Sequence, residues 1–190
     1  MLYGTPVVRR RDAQRNRAAI VLAATEVLAE GDPVALMPEI ARRAGVGQAT
    51  LYRHFADRHA LTSAVIEHQL DRLEEAVAGL AAHPEHFREL LRSVLHTQIA
   101  MRGLVVLLRR LDAPTQNRYR RRALAALSGP LRRAREHGHV RADLVPEDLA
   151  LLFTMVQGVA EATGDAAAAR AAADRSVDLM LDGICLTAAD

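Results

Sequence analysis

The segment from Ile40 to Leu61, IARRAGVGQATLYRHFADRHAL, decides the fold of this 190-residue chain. Two short helical patterns flank Gly45-Val46-Gly47, and Asp57 then offers a cap for a further helix. The second pattern, residues 48–54, carries polar, basic and aromatic side chains, a composition typical of a helix that enters the DNA major groove. We expect Leu51 and Phe55 to be its buried anchors. The segment therefore predicts a helix-turn-helix that binds double-stranded DNA.

Composition indicates an all-α protein. Half of the residues are hydrophobic but only 3% are aromatic, whereas strands favour aromatic and β-branched side chains. Alanine, leucine, arginine and glutamate, which are good helix formers, are frequent. The single cysteine, Cys185, excludes an intramolecular disulfide and a cysteine-based zinc site. The sequence contains no long apolar run and no signal segment, so we expect a cytoplasmic protein without a membrane partner.

Positive charge is concentrated near the N-terminus. All 25 basic residues are arginine, and residues 1–60 carry nine of them against six acidic residues, a net charge of +3. The rest of the chain carries sixteen arginines and seventeen acidic residues, a net charge of −1. This asymmetry favours phosphate contacts at the N-terminal end. We expect residues 1–10 to be disordered, and Arg9-Arg10-Arg11 suits either a solvated tail or an arm that binds phosphates or a minor groove.

Apolar residues recur at helical spacing along most of the chain and predict about nine helices. The helix before the opening segment has one apolar face, built from residues between Ile20 and Leu28. Pro130 lies within the seventh predicted helix and should kink or break it. The predicted helices lie at about 12–29, 37–44, 48–54, from 57, from 84, 103–111, from 115, from 146, and from just after 165 to about 186.

The opening segment, together with the apolar helix before it, resembles the TetR/AcrR family of transcriptional regulators. The resemblance is dense over residues 15–65, and residues 132–152 resemble the connection between helices seven and eight in one branch of the family. It implies a helix-turn-helix DNA-binding domain at 1–56 and a helical ligand-binding and dimerisation domain at 57–190. It further implies a homodimer, paired through helices eight and nine, that represses transcription at a palindromic operator until an unknown small-molecule effector releases it.

The resemblance also assigns DNA-binding roles to single residues. Within the recognition helix, residues 48–54, Tyr52 would reach a phosphate and Arg53 would fork to a guanine edge. The chain departs from the family at Ala35-Leu36-Met37, which offers no helix cap, and at Pro38, which replaces a common basic or polar residue. The complete predicted DNA-binding set is Arg42, Arg43, Gln48, Thr50, Tyr52, Arg53, His54 and Arg58.

A ligand pocket between helices four to eight is implied in the same way. The histidine pairs His83/His86 and His137/His139 could ligate zinc, but no carboxylate or cysteine completes a recognisable spacing. No HExxH, GxSxG or P-loop motif occurs, so we expect no metal, no cofactor and no enzymatic activity. The predicted pocket lining combines apolar and a few polar side chains: Phe87, Leu91, His96, Met101, Leu104, Leu108, Phe153 and Gln157.

The sequence leaves two alternatives open. The chain could be a small-molecule-binding or interaction module whose DNA-binding head is degenerate, which the missing cap and Pro38 would suit. Activation of transcription is as compatible with the sequence as repression, because the chain does not encode where its operator lies relative to a promoter.

Overall fold

Helices account for most of the described residues. The computed structural model describes residues 6–30, 36–79, 83–162 and 166–186. Within those ranges β-pairing is limited to one isolated antiparallel bridge, between Val140 and Cys185, and the predicted all-α class is confirmed. The α-helices of these ranges are α1 Pro6–Ala29, α2 Leu36–Arg43, α3 Gln48–His54, α4 Arg58–Gly79, α5 Phe87–Ala100, α6 Arg102–Leu108, α7 Ala113–Glu136, α8 Pro146–Ala162 and α9 Ala166–Ile184, and a 3-10 turn, Pro84–His86, precedes α5.

The first helix begins earlier than predicted. α1 starts at Pro6, so residues 6–10 are helical and the prediction that they are disordered is wrong. Proline is favoured in the first turn because an N–H there would have no intrahelical partner, and arginine is a good helix former. Residues 1–5 and the uncapped flank at Ala35 lie outside the described residues.

α7 runs without interruption although Pro130 lies within it, so the predicted break is absent. Residue 129 is glycine, and its missing Cβ relieves the clash that a proline imposes on the residue before it. Pro130 is also buried, so its ring contributes to packing. Asp112 caps the start of the helix, where its carboxylate accepts a hydrogen bond from the Thr115 N–H at 2.9 Å.

The chain divides into two compact units. The first contains residues 1–68 and 103–111, and the second contains 69–102 and 112–190. The first half of α4 and most of α6 therefore group with α1, α2 and α3, whereas we predicted a boundary after residue 56. The sequence pattern places the end of the DNA-binding domain at the end of the recognition segment. Burial of apolar side chains, however, decides which helices pack with that domain.

Each unit has its own apolar core. In the first unit, Leu61 of α4 and Leu107 of α6 are buried and line a small crevice with Ile40 of α2. In the second unit the core is formed by α5, α7, α8 and α9, with Leu91 and Leu181 among its fully buried members.

Three side-chain pairs, two between arginine and aspartate and one between histidine and aspartate, connect α5 to the antiparallel α9 and are spaced one helical turn apart. Side chains four residues apart lie on one helix face, so the three pairs lie one after another along that face. The third pair contains a histidine that we predicted to line the ligand pocket. The pairs are Arg88–Asp182 at 2.5 Å, Arg92–Asp178, and His96–Asp174 at 3.0 Å.

Across the described ranges, no helix taken singly is long and apolar enough to span a membrane. One bent pair of helices, residues 84–108, passes that test jointly, on length and composition alone.

Candidate nucleic-acid interface

A glycine in the left-handed conformation makes the turn between α2 and α3. Gly45 has φ +66°, and its N–H donates to the Arg42 carbonyl at 3.2 Å. The Val46 N–H donates to the Ala41 carbonyl at 3.0 Å. These two bonds form a Schellman motif, which satisfies carbonyls at the end of α2 and redirects the chain into α3. The geometry of the helix-turn-helix therefore depends on one residue that adopts a positive φ at little cost.

We expect Gly45→Ala to lower the free energy of unfolding by about 1–2 kcal/mol, because a Cβ disfavours the left-handed conformation. No atom of the described residues lies within 4 Å of the added carbon, so the loss would come from backbone strain alone. Gly47→Ala is the matched control, since Gly47 has φ −69° and equally open surroundings. Urea unfolding should show a smaller loss for the control, about 0.5 kcal/mol, because alanine is a poorer N-cap than glycine. Equal losses in the two variants would contradict the assignment.

The inner side of α3 fixes the helix against the first unit. Leu51 is fully buried and Phe55, which follows the last residue of the helix, is 2% exposed. The Phe55 N–H donates to the Leu51 carbonyl at 2.9 Å. The Arg17 guanidinium of α1 lies over the Phe55 ring, 5.2 Å from its centroid, a cation–π distance. Two apolar anchors and one cation therefore hold the helix from the inside.

The outer side of α3 carries the residues predicted to contact DNA. Gln48 and Arg53 are exposed, and the Tyr52 side chain is 49% exposed. An Arg53 guanidinium nitrogen donates to the Thr50 hydroxyl at 3.1 Å, which steers the arginine along the helix surface. Thr50 and His54 are half-buried. α3 thus gathers five of the eight predicted residues on seven consecutive positions.

Arg42 and Arg43 are held by carboxylates of the first unit. The Arg43 Nε donates to Glu39 at 2.7 Å, and its two terminal nitrogens donate to Glu30 at 2.5 and 2.6 Å. Arg42 donates to both Glu39 oxygens at 2.7 and 2.8 Å. Each Arg43 nitrogen therefore already has an acidic partner, whereas the Arg42 side chain remains 71% exposed. This arrangement favours a role for Arg43 in joining α2 to the end of α1.

Glu39 is the centre of this ion-pair network. Hydrogen bonds from Arg42 and then Arg43 lower the pKa of its carboxyl to about 2, so the network is fully charged at neutral pH. The spacing of Glu39 three and four residues before these arginines could have been read from the sequence. The contribution of Glu30 could not, because it lies thirteen residues from Arg43.

Arg58 lies at the start of α4, next to the residue that caps the helix. The Asp57 carboxylate accepts a hydrogen bond from the Ala60 N–H at 2.7 Å, as the sequence predicted. Arg58 is half-buried and lines the small crevice of the first unit, which also includes the buried Thr62. None of the residues predicted to line a ligand pocket borders this crevice.

The predicted ligand residues do not all belong to one unit. Leu104 and Leu108 group with the first unit, and the other six belong to the second. His96 pairs with Asp174, and the Gln157 amide donates to Glu161 at 2.9 Å, so both polar candidates already have partners in the protein. The Gln69 amide nitrogen of α4 is different, because it is buried without a hydrogen-bond partner among the described residues. No sequence pattern marks Gln69 as a buried polar residue.

Comparison with known proteins agrees with this fold. Residues 20–65 match the family described as bacterial regulatory proteins, tetR family, and residues 83–186 match the SbtR-like C-terminal domain of transcriptional regulators. A TetR transcription regulatory protein from Mycobacterium vanbaalenii has 31% identity and a TM-score of 0.70, with 93% of this chain and 99% of that chain covered. The regulator SCO0520 from Streptomyces coelicolor has 32% identity and a TM-score of 0.71, with 90% and 99% covered.

Curated relatives match over a shorter stretch. The transcriptional repressor LfrR from Mycolicibacterium smegmatis is 30% identical over 102 residues, 54% of this chain and 53% of LfrR. The chain spans about half the length, or less, of the curated relatives it matches. The C-terminal match alone covers more than half of the chain, and both solved regulators are matched over nearly their whole length. The chain therefore belongs to the TetR family of transcriptional regulators.

Proposed function

We propose that this chain is a cytoplasmic, homodimeric repressor that binds a palindromic operator through α3 and leaves it when a small molecule binds. The exposed row of Gln48, Tyr52 and Arg53 on a helix anchored from behind is the observation that carries the proposal. Phosphate contacts position such a helix, and contacts with base edges give it sequence preference. LfrR, to which the chain is similar, is a transcriptional repressor by name.

An exposed apolar surface supports the dimer. On α8, Leu151 and Met155 lie one turn apart and are 61% and 54% exposed, and Leu179 on α9 is 55% exposed. Gly158 and Gly183 continue the same faces and have open space around them, so they would allow close approach of a second chain. Two helices from each chain would form a four-helix bundle. Its two heads would sit about 34–36 Å apart, one turn of DNA, or a multiple of that spacing.

We expect an effector to release the operator by moving α4. α4 begins in the first unit and continues into the second. α6 approaches α1 so closely that a methyl group on Gly103 would lie 3.0 Å from the Leu28 carbonyl oxygen. An effector with a hydrogen-bond acceptor would satisfy the buried Gln69 amide. A shift of α4 that separates the heads would weaken operator binding by about 1–3 kcal/mol, a typical coupling energy.

Selection of bound fragments from a library of genomic DNA would test the operator. We expect an enriched palindrome, whose affinity falls linearly with salt on logarithmic axes because phosphate contacts release counterions. Arg53→Ala should cost about 1–3 kcal/mol of operator binding and relax the base preference at one position per half-site. Tyr52→Phe should weaken binding to all duplexes alike, because it removes a phosphate contact.

Arg121→Ala is the matched control for Arg53→Ala. Arg121 is an exposed arginine on α7, so its replacement removes the same charge from a different surface. Unchanged operator affinity in both Arg53→Ala and Tyr52→Phe would remove α3 as the recognition helix. Equal losses of operator affinity for Arg53→Ala and Arg121→Ala would show that the effect comes from net charge alone.

A ligand-binding module with a degenerate head is the second candidate. The acidic partners of Arg42 and Arg43 favour it, because Glu30 and Glu39 offset positive charge at the head. This candidate predicts that the same DNA selection yields no enriched palindrome. It also predicts that native mass spectrometry of protein purified from its own cells detects a bound small molecule.

A further inference from the structure

The start of α5 brings two imidazoles and a carboxylate together. Among the described residues, His83, Glu85 and His86 form the group whose possible ligand atoms all lie within 4.8 Å of one another. The His83 Nδ1 is 3.1 Å from a Glu85 carboxylate oxygen, and the rings of His83 and His86 have centroids 5.2 Å apart. We expected no metal site here because Glu85 completes no familiar ligand spacing in the sequence.

The 3-10 turn explains why the two histidines meet. His83 is the N-cap of the 3-10 turn Pro84–His86, so the turn folds the chain back within three residues and brings His86 beside it. The His86 N–H donates to the His83 carbonyl at 3.1 Å, so the turn is closed at these two residues. Pro84 fixes one backbone angle between them. Phe87, directly after the turn, is 2% exposed and anchors it to the core of the second unit.

The side chains themselves remain accessible. His83 and Glu85 are 54% and 49% exposed, and His86 is exposed. Tetrahedral zinc has metal–nitrogen and metal–oxygen distances of about 2.0–2.2 Å, which places its ligand atoms about 3.3–3.6 Å apart. Rotations about exposed side-chain bonds bring ligand atoms from within 4.8 Å to that separation without moving the backbone.

We propose that His83, Glu85 and His86 bind one divalent transition-metal ion of the zinc class. Two neutral imidazoles and one carboxylate suit zinc, nickel, copper or cobalt, whereas magnesium and calcium prefer oxygen ligands alone. Three protein ligands leave at least one coordination position for water or an external ligand. All three come from four consecutive residues, so the site depends on the start of α5 and is independent of DNA binding.

The proposal is tested by a zinc titration of the full chain after a chelator has removed any bound metal. Competition with a chromophoric chelator then measures the affinity for zinc. We expect one zinc ion per chain. His83→Asn, His86→Asn and Glu85→Gln should each weaken binding at least ~10-fold, a loss that even outer-shell partners of a metal site can cause, and the double histidine variant should abolish it. Cobalt bound to the wild type should give the visible absorption of a site with nitrogen ligands.

His137→Asn/His139→Asn is the matched control. These rings are also paired, with centroids 6.3 Å apart, but they belong to no group of three metal-ligating residues in the described ranges. The control should bind zinc as the wild type does. The proposal is overturned if the wild type binds no zinc, if the double variant at 83 and 86 binds equally well, or if the control loses binding. One ion per two chains, or equal affinity for magnesium, would also overturn it. Thermal unfolding in chelator checks that each variant is folded.

Discussion

A chain carrying Leu151→Arg and Leu179→Arg is expected to behave as a 20.7 kDa monomer in light scattering at micromolar concentration, whereas the wild type should have twice that mass. Both leucines are more than half exposed on the apolar faces of α8 and α9. In a two-fold interface each substitution occurs twice, so four unpaired guanidinium groups would be buried together. The dimer should not survive that cost.

Operator binding should collapse with the dimer. One head reads only part of a palindrome, and linking two heads typically raises the apparent affinity by 10²–10⁴-fold. The monomer should therefore bind operator ~10²–10⁴-fold more weakly. Its free energy of unfolding per chain should show no further loss from the core.

Leu22→Arg is the control for this pair. Leu22 is 52% exposed on α1, so the same substitution is made at a leucine of similar exposure in the first unit. It should leave the mass of the wild type unchanged. A dimeric double variant would place the interface elsewhere on the chain.

Phe55→Ala is expected to lower the free energy of unfolding by about 3–5 kcal/mol, as truncation of a buried phenylalanine typically does. Phe55 is 2% exposed and also supports the Arg17 guanidinium through its ring. The loss is a large part of the 5–15 kcal/mol that stabilises an ordinary domain. Urea unfolding would measure the change, and hydrogen exchange should show faster opening of residues 48–54.

Tyr52→Ala separates stability from recognition in the same helix. Tyr52 is 49% exposed, so its truncation should change the free energy of unfolding by less than about 1 kcal/mol while operator binding falls. Phe55→Ala should lose both properties. If Tyr52→Ala destabilised the chain as much as Phe55→Ala, the division of α3 into an anchored and an exposed side would be wrong.

Local patterns in the sequence were sufficient for much of the head. The predicted third helix, residues 48–54, agrees with α3 at both ends, because Gly45 and Gly47 before it and Asp57 after it mark its limits by short-range chemistry. Leu51 and Phe55 were predicted as anchors and are buried. These features depend on residues a few positions apart, so their physical causes are visible in the sequence.

Interactions between distant residues were not predictable in the same way. Arg43 was predicted to contact DNA, yet its partner Glu30 lies on the segment that follows α1. His96 of α5 was predicted to line the ligand pocket, yet it contacts Asp174 of α9. Charged side chains of similar spacing and exposure have the same appearance in a sequence whether they meet DNA, solvent or another helix.

By itself the sequence determined the helical class, the helix-turn-helix, the two anchors of α3 and the family resemblance, because periodicity, glycine conformation and capping act within a few residues. Only the tertiary structure decided that α6 and the first half of α4 group with the head, that α7 continues through Pro130, and that Glu85 joins His83 and His86. Those outcomes depend on which apolar faces pack together and on how a turn orients its side chains, and both are settled by the folded chain as a whole.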